Sequence, residues 1–224
     1  MNNKIRIWED FCSHYQVFEK GVPLFQGSEN NVETFPYGTN NRIMLKRSSS
    51  MESFLINEVE KVLTDYIEQT EKYDGLIYMM FWKKDNKVIP LYIGKSEKYG
   101  KSGGNLSINI KNIRQNKANF CRWGYNYAYH IGDLSAVVCL GHPEVKKLNK
   151  YSKWAALLFE KYPVEDPILK APVYFWIKAW SKKDIGVWKE FGETSLTFLE
   201  YLLIGLASEL FPGTLLNQEG VNRK

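Results

Sequence analysis

The sequence is poor in the residues that build metal centres and disulfide frameworks. Its 224 residues include three cysteines and three histidines. Cys12, Cys121 and Cys139 are far apart, and no two of them form a CxxC pair. An odd number of isolated cysteines argues against a disulfide framework and a structural zinc site, and it favours a reduced, cytoplasmic compartment.

Long hydrophobic runs are also absent from the sequence. No run approaches the ~18 consecutive apolar residues that a membrane-spanning helix needs. The first residues, Met-Asn-Asn-Lys-Ile-Arg, lack the apolar stretch of a secretory signal. We therefore expect a cytoplasmic protein with no membrane partner.

The charge balance and the length narrow the class of protein. The formal net charge is +5, which favours a polyanionic partner but also fits an enzyme with a small substrate. A chain of 224 residues can bury a core of its own without covalent crosslinks.

The first part of the chain predicts an arm followed by a helix. Residues 1–50 show no sustained periodicity and are interpreted as an irregular arm. Apolar residues recur at three and four between residues 51 and 72, and Ser49 with Glu52 resembles a capping box. We expect two segments: residues 1–72, the arm with its amphipathic helix, and residues 73–224, the main domain.

The main domain predicts a small antiparallel sheet with helices. Two apolar segments, 75–82 and 88–94, flank a turn at Lys84–Lys87 and are typical of a β-hairpin. Short helices are predicted at 106–117 and 144–161, a third strand at 173–180 and a strongly apolar helix at 195–210. This order favours an α+β fold in which helices flank a three-stranded antiparallel sheet.

Glu200 interrupts the apolar face of the last predicted helix. Four apolar residues share its face, at positions −4, +3, +4 and +7 relative to it: Leu196, Leu203, Ile204 and Ala207. Burying an unpaired carboxylate costs several kcal/mol, so this group needs a cation, a metal or hydrogen-bond donors. Two interpretations stay open at this point: a structural salt bridge or solvent-exposed turn, and a functional carboxylate.

The hairpin carries a recognisable pair of triplets. Gly75-x-Ile77-Tyr78 is followed by Tyr92-Ile93-Gly94, and this pattern resembles the paired strand signature of GIY-YIG nucleases with one residue inserted in the first triplet. The order of elements between residues 75 and 217 is similar to that family's layout. The resemblance implies an α/β sandwich that hydrolyses nucleic-acid backbones with one divalent metal. It assigns Tyr78 and Tyr92 to the two signature tyrosines, Glu200 to the metal ligand, and Asn217 to the asparagine near the end of the domain.

The arginine of the family is displaced in this sequence. Family members place it in the first two turns of the helix after the second triplet, where this chain has Asn109. Arg114 is the first arginine available, and it borders the predicted apolar stripe of the helix at 106–117. Arg122, beside Trp123, is the alternative.

The family's chemistry gives each residue an expected role. A single carboxylate without a His or Cys cluster favours Mg²⁺, with Mn²⁺ as a substitute, on Glu200. Arg114 would contact the phosphate, while Tyr92 would donate to a phosphate oxygen. Tyr78 would orient or deprotonate the attacking water. Because the usual pKa of tyrosine is ~10, a nearby cation should favour its phenolate, and Lys95 is the candidate.

The facing of the two tyrosines depends on the hairpin loop. A two-residue turn at Asp85-Asn86 would put Tyr78 and Tyr92 on opposite faces, and a loop centred on one residue would put them on the same face. The mechanism requires one face. Pro90 cannot donate to the sheet, and a bulge near it would change the parity.

The sequence offers a substrate-binding segment and an unassigned polar pair. Basic and aromatic residues are interleaved in 111–117 and 120–127, which fits contact with phosphates and bases but equally fits an aromatic core segment. His130 and Asp133 beside Gly132 favour a local hydrogen-bonded turn and are left out of the predicted site.

The prediction of function is a DNA endonuclease, with restriction-type cleavage of duplex DNA as its specific form. Cutting both strands would call for a homodimer or for successive nicking. The alternatives are a repair or mobile-element nuclease of the same family, and a non-catalytic nucleic-acid-binding protein that retains the fold.

Overall fold

The computed structural model describes residues 3–100, 103–111 and 113–221. The α-helices are α1 (Asn3–His14), α2 (Val17–Lys20), α3 (Ser49–Glu68), α4 (His130–Val138), α5 (Asn149–Leu158) and α6 (Leu196–Leu210). The strands are β1 (Val22–Pro23), β2 (Gly27–Ser28), β3 (Asn31–Val32), β4 (Thr34–Tyr37), β5 (Arg42–Leu45), β6 (Tyr73–Lys84), β7 (Lys87–Glu97) and β8 (Tyr174–Ser181). Among the described residues, no helix has the length and apolar character needed to cross a bilayer.

The chain forms two compact units that interleave along the sequence. The first unit falls within residues 1–22, 57–107 and 174–224, and the second within residues 23–56 and 108–173. Neither unit coincides with the predicted segments 1–72 and 73–224.

The main sheet confirms the α+β class but has one strand more than predicted. Its order is β1-β8-β6-β7, so it has four strands. The long strand β6 lies between β7 and β8 and is antiparallel to both. The prediction of three strands was wrong because β1 contains two residues, too few for any periodicity to show.

The hairpin of β6 and β7 closes with a two-residue turn. Lys84 pairs with Lys87, and the two residues between them, Asp85 and Asn86, have φ of 49° and 57°. Positive φ at both central positions is the geometry of a type I′ turn, which matches the right-handed twist of the strands. Asp and Asn tolerate this region better than other side chains do.

The first fifty residues are more ordered than the sequence predicts. The expected irregular arm is wrong, because this stretch contains two helices and five short strands. In α1 the buried residues are Ile7, Trp8, Phe11 and Cys12. They form the apolar stripe of a short amphipathic helix of about three turns. The Trp8 indole N–H donates to the carbonyl of Val88 at 3.1 Å and ties α1 to the hairpin.

Helix α3 confirms the predicted helix at 51–72 but spans Ser49–Glu68, and it has a different cap. The Ser48 hydroxyl accepts the backbone N–H of Met51 at 3.0 Å, so Ser48 is the capping residue in place of Ser49. Glu52 does not close a capping box. Its carboxylate accepts from the guanidinium of Arg47 at 2.9 Å.

Arg47 organises the second unit from inside. The residue is 2 % exposed and donates to the carbonyl of Trp123 at 2.8 Å. Its guanidinium lies 4.5 Å from the ring centroid of Phe120 and 3.8 Å from that of Tyr125. Those aromatic residues are buried, so most of the segment 120–127 belongs to the core. This is the interpretation of an aromatic core segment and not that of a substrate-binding segment.

Three predicted features of the second unit need correction. The helix at 106–117 does not form, since residues 108–111 and 113–115 form turns. Four asparagines within 105–116 explain this, because their side chains compete for backbone groups and favour turns. The helix predicted at 144–161 is the shorter α5, preceded by one 3₁₀ turn. His130 and Asp133 lie in α4 and not in a turn, although Asp133 does accept a local hydrogen bond from the Ala128 N–H at 2.8 Å.

Candidate functional site

The two signature tyrosines leave the same face of the sheet. Tyr78 pairs with Gly94 and Met80 pairs with Tyr92, while Leu91 is an extra residue in β7. This β-bulge reverses the effect of the two-residue turn on the parity of the strand. The ring centroids of Tyr78 and Tyr92 are 6.4 Å apart with an interplanar angle of 28°. The facing that the hypothesis requires is therefore present.

Tyr78 is held in one orientation by its neighbours. The residue is 2 % exposed, and its ring lies 6.3 Å from that of Phe175 on the side away from β7. Its hydroxyl reaches across Gly94 and donates to the carbonyl of Lys95 at 3.3 Å. The phenol therefore reaches the outer edge of β7, while its ring stays in the core.

Gly94 is required for this arrangement. A Cβ placed on Gly94 would stand 2.7 to 2.9 Å from three atoms of the Tyr78 side chain, so that side chain would have to move. We predict that Gly94→Ala lowers the free energy of unfolding by about 1–3 kcal/mol, the usual cost of overpacking. Urea titration checks this. Gly205→Ala on α6 is the matched control, since a Cβ there meets nothing within 4 Å. It should stabilise the helix by roughly 0.5–1 kcal/mol, and an equal loss in both variants would contradict the prediction.

Glu200 lies on α6 and faces the backbone of the same residue of β7, Lys95. Burial raises the pKa of its carboxyl above the ordinary value, whereas the charge of Lys95 and a hydrogen bond from the Lys95 backbone lower it. The charges of Glu97 and Glu219 raise the pKa further. The carboxylate is half-buried, so the sequence-based expectation of a carboxylate in a desolvated setting is met. The backbone of Lys95 thus meets the Tyr78 hydroxyl with its carbonyl and Glu200 with its N–H.

The backbone of Lys95 contacts the site residues, whereas its side chain points away from the two tyrosines. It follows Gly94 in the strand, so its side chain leaves the face opposite to Tyr92. Its ammonium forms an ion pair with Glu97 and donates to the Thr197 hydroxyl at 2.5 Å. Stabilisation of a Tyr78 phenolate by this cation stays a prediction. The Lys95 ammonium lowers the pKa of its ion-pair partner Glu97, and its charge also lowers that of Glu200.

Asn217 binds the outer edge of β7 one step further along. Its side-chain oxygen accepts the Ile93 N–H at 3.0 Å, and its side-chain amide donates to the Ile93 carbonyl at 2.8 Å. Leu216 adds a backbone hydrogen bond to Leu91 at 2.7 Å. Asn217 therefore fixes the strand that carries Tyr92 and Lys95, which is a positioning role.

The predicted arginine belongs to the other compact unit. Arg114 is exposed in a turn of the second unit, and Arg122, its alternative, is exposed there as well. Arg114 was predicted from a helix that does not form, whereas Arg122 was the alternative because it stands beside Trp123. Among the described residues of the first unit, Arg6 is the sole arginine, and it lies on α1.

The side chains around Glu200 do not form a complete set of metal ligands, but a single carboxylate is compatible with Mg²⁺. Within residues 3–100, 103–111 and 113–221, no three His, Cys, Asp or Glu side chains are grouped to hold a metal. Mg²⁺, however, is usually bound by one or two carboxylates, with water and substrate phosphate completing its shell. The charge of Lys95 acts on Glu200 together with those of two further carboxylates, Glu97 and Glu219, so the acidic groups outnumber the basic one, a balance that favours a cation.

Three polar neighbours of the site were not predicted from the sequence: Thr197, Glu97 and Glu219. Thr197 lies one turn before Glu200 on the same helix, and its hydroxyl donates to Glu97 at 3.1 Å. Glu97 follows Lys95 by two residues, so both side chains leave the same face. These spacings were readable from the sequence. Glu219 was not predictable, because no periodic element contains it.

Comparison of the chain with models of known protein families, with curated proteins and with solved structures finds no match.

Proposed function

We propose that this chain is a metal-dependent endonuclease of the GIY-YIG type that hydrolyses phosphodiester bonds of DNA. One observation carries the proposal. The Tyr78 hydroxyl and the Glu200 carboxylate, which are far apart in the sequence, both meet the backbone of one residue, Lys95, at the outer edge of β7. Tyr92 lies beside Tyr78 on the same face and is half-exposed.

Glu200 is the residue that would hold a magnesium ion. When bound, the ion would neutralise charge on the phosphoryl group and on the leaving oxygen. The surrounding residues adjust the carboxylate, since the Lys95 backbone and charge favour its ionised form while burial opposes it.

The tyrosines would orient the reacting groups. Tyr78 is oriented by Phe175, and its hydroxyl proton is donated to the Lys95 carbonyl, so the hydroxyl oxygen would accept a hydrogen bond from the water that attacks phosphorus. Tyr92 would donate to a non-bridging phosphate oxygen. The attacking water would lose a proton to the solvent as its oxygen bonds to phosphorus, and the leaving oxygen would take up a proton from the solvent as its bond to phosphorus breaks.

Arg114 is proposed as the phosphate-binding arginine, and restriction-type cleavage of duplex DNA as the biological form. Two strands have to be cut, which a homodimer or successive nicking would achieve. A repair or mobile-element nuclease has the same chemistry.

A second candidate function is non-catalytic binding of nucleic acid. It is favoured by the position of the arginines, since Arg114 and Arg122 lie outside the unit that contains Tyr78 and Glu200. A protein that binds without cutting would need neither an arginine beside the carboxylate nor a metal.

Incubation of supercoiled plasmids with purified protein separates these functions. We expect Mg²⁺-dependent conversion to nicked or linear forms, and no conversion in EDTA. Plasmids from several sources are needed, because a sequence-specific enzyme cuts few of them. Intact plasmids throughout the panel, together with retarded migration of the DNA, would favour the binding protein.

A further inference from the structure

The whole formal net charge of the chain comes from the residues of the second unit. Residues 23–56 and 108–173 contain 13 Lys and Arg against 8 Asp and Glu, whereas the ranges of the first unit contain 17 of each. The second unit therefore accounts for the whole net charge of +5. Formal charge therefore favours the second unit as the place where a polyanion first binds.

The hairpin of β4 and β5 belongs to this unit, and its turn is exposed. The strands pair from Thr34–Leu45 to Tyr37–Arg42, and residues 38–41 form the turn. The base of the hairpin is buried at Met44 and Leu45. The turn, Gly38-Thr39-Asn40-Asn41, is exposed and uncharged.

Arg42 is the first residue of β5 and directly follows the exposed turn. Its guanidinium carbon is 5.6 Å from the ring centroid of Tyr37 and 4.6 Å from that of Tyr127. Two aromatic rings orient the planar guanidinium and reduce the rotamer entropy that it would lose on binding.

The donors of Arg42 are not used within the described part of the chain. No described carboxylate lies within ion-pair distance of Arg42, and no described acceptor takes a hydrogen bond from it. Arg47, by contrast, donates to Glu52 and to two backbone carbonyls. A half-buried guanidinium whose donors meet no acceptor among the described residues is prepared to bind an external one.

A hydrogen-bonded chain holds the Tyr127 ring against Arg42. The His142 Nε2–H donates to the Ile43 carbonyl at 2.8 Å, which leaves Nδ1 of the neutral ring to accept from the Tyr127 hydroxyl, also at 2.8 Å. Burial and the charges of Arg42 and Lys147 lower the pKa of His142, so the ring is neutral at pH 7. Lys146 lies 5.0 Å from the centroid of the same tyrosine and adds a second cation.

We infer that this hairpin, with Arg42 as its anchor, is a binding surface for duplex DNA in the second unit. This inference rests on the proposed function for the identity of the polyanion. The major groove of B-form DNA admits a two-stranded ribbon, and arginine and asparagine side chains pair with guanine and adenine edges there. Arg42 contacts a phosphate or a guanine, and Asn40 and Asn41 at the tip face the base edges.

The test is the affinity of the full chain for a fluorescently labelled DNA duplex, measured by anisotropy in EDTA so that no cleavage occurs. Arg42→Gln is expected to weaken binding about tenfold or more. It should also make the plot of log affinity against log salt less steep by about one. Arg42→Lys keeps the charge but loses the planar stack, so its affinity should fall between the two. Lys161→Gln, a change of an exposed lysine in the same unit, is the control for net charge and should change affinity less than about twofold.

The outcomes separate this inference from the proposed nuclease. Loss of binding in Arg42→Gln, with a thermal melt like that of wild type, supports the inference even if the protein never cuts DNA. Binding by Arg42→Gln and Arg42→Lys equal to that of wild type overturns it, even if the protein cuts. Equal losses in Arg42→Gln and Lys161→Gln also overturn it. An RNA duplex that binds more tightly than DNA through Arg42 would overturn the assignment to DNA.

Discussion

Replacing Glu200 by glutamine is expected to reduce Mg²⁺-dependent cleavage at least ~10³-fold, because the amide removes the charge that holds a metal while keeping the shape of the side chain. The measurement is the rate of plasmid conversion at saturating Mg²⁺. Glu209→Gln, on the same helix, is the matched control and should cleave at the wild-type rate. Equal rates in wild type and Glu200→Gln would contradict the assignment of the metal ligand.

The same substitution separates a functional carboxylate from a structural one. The pKa of Glu200 is raised in the folded protein, chiefly by burial, so its stabilising contribution is present below the ordinary pKa and is lost as the pH rises through the raised pKa. At pH 7 the ionised carboxylate therefore costs stability. We expect Glu200→Gln to be at least as stable as wild type at pH 7, with the difference disappearing in acid. Marked destabilisation at pH 7 would instead indicate a structural ion pair.

The second large effect is expected from Lys98→Met, which should lower the free energy of unfolding by about 3 kcal/mol, near the lower end for breaking a buried ion pair. Lys98 and Asp65 are 1 % and 3 % exposed, and the ammonium lies 2.8 Å from the carboxylate. Asp65 keeps the backbone N–H groups of Lys72 and Tyr73 and the Thr70 hydroxyl, which limits the loss. Denaturant unfolding at pH 7 measures the effect.

The pH dependence of this effect has a definite sign. Hydrogen bonds from Lys98, Thr70 and the backbone outweigh burial and hold the pKa of Asp65 well below its ordinary value. The contribution of the pair is therefore present above that ordinary value and is lost as the pH falls through the lowered one. The pKa of Lys98 is raised, so the contribution persists until the pH passes above the ordinary lysine value.

Two comparisons complete this prediction. Lys87→Met removes an exposed lysine paired with Glu9 and should change stability by less than about 1 kcal/mol. The double variant Asp65→Asn, Lys98→Met should recover part of the loss, because no unpaired charge is left buried. A Lys98→Met protein as stable as Lys87→Met would show that the pair contributes little.

The elements that the sequence predicts are those with a polar and an apolar face, or a long apolar strand. Helix α3, the hairpin, β8 and α6 all belong to this group. Helix α4 was missed because all nine of its residues are buried, so no polar face gives it a period. The false helix at 106–117 shows the opposite failure, in which an apolar period coincided with asparagines that favour turns.

The candidate site was predictable in its residues but not in its contacts. Glu200 stands out against the apolar face of α6, and the triplets select Tyr78 and Tyr92. The meeting of Tyr78 and Glu200 at the Lys95 backbone, and the placing of Tyr92 beside Tyr78, depend on a bulge and on the register of β6 with β7, which are non-local properties. The partners of Lys95 could not be foreseen for the same reason, since Thr197 lies about a hundred residues away in the chain.

The extra residue Leu91 links the length of the hairpin to the chemistry of its face. The two-residue turn alone would send Tyr92 to the side away from Tyr78, and the bulge alone would do the same with a turn of odd length. Insertions and deletions in this hairpin are therefore tolerated in compensating pairs. In a divergent relative, a turn longer or shorter by one residue should be accompanied by loss or displacement of the bulge. The two changes together would then indicate that the site is conserved, even where the sequence identity is too low to show it.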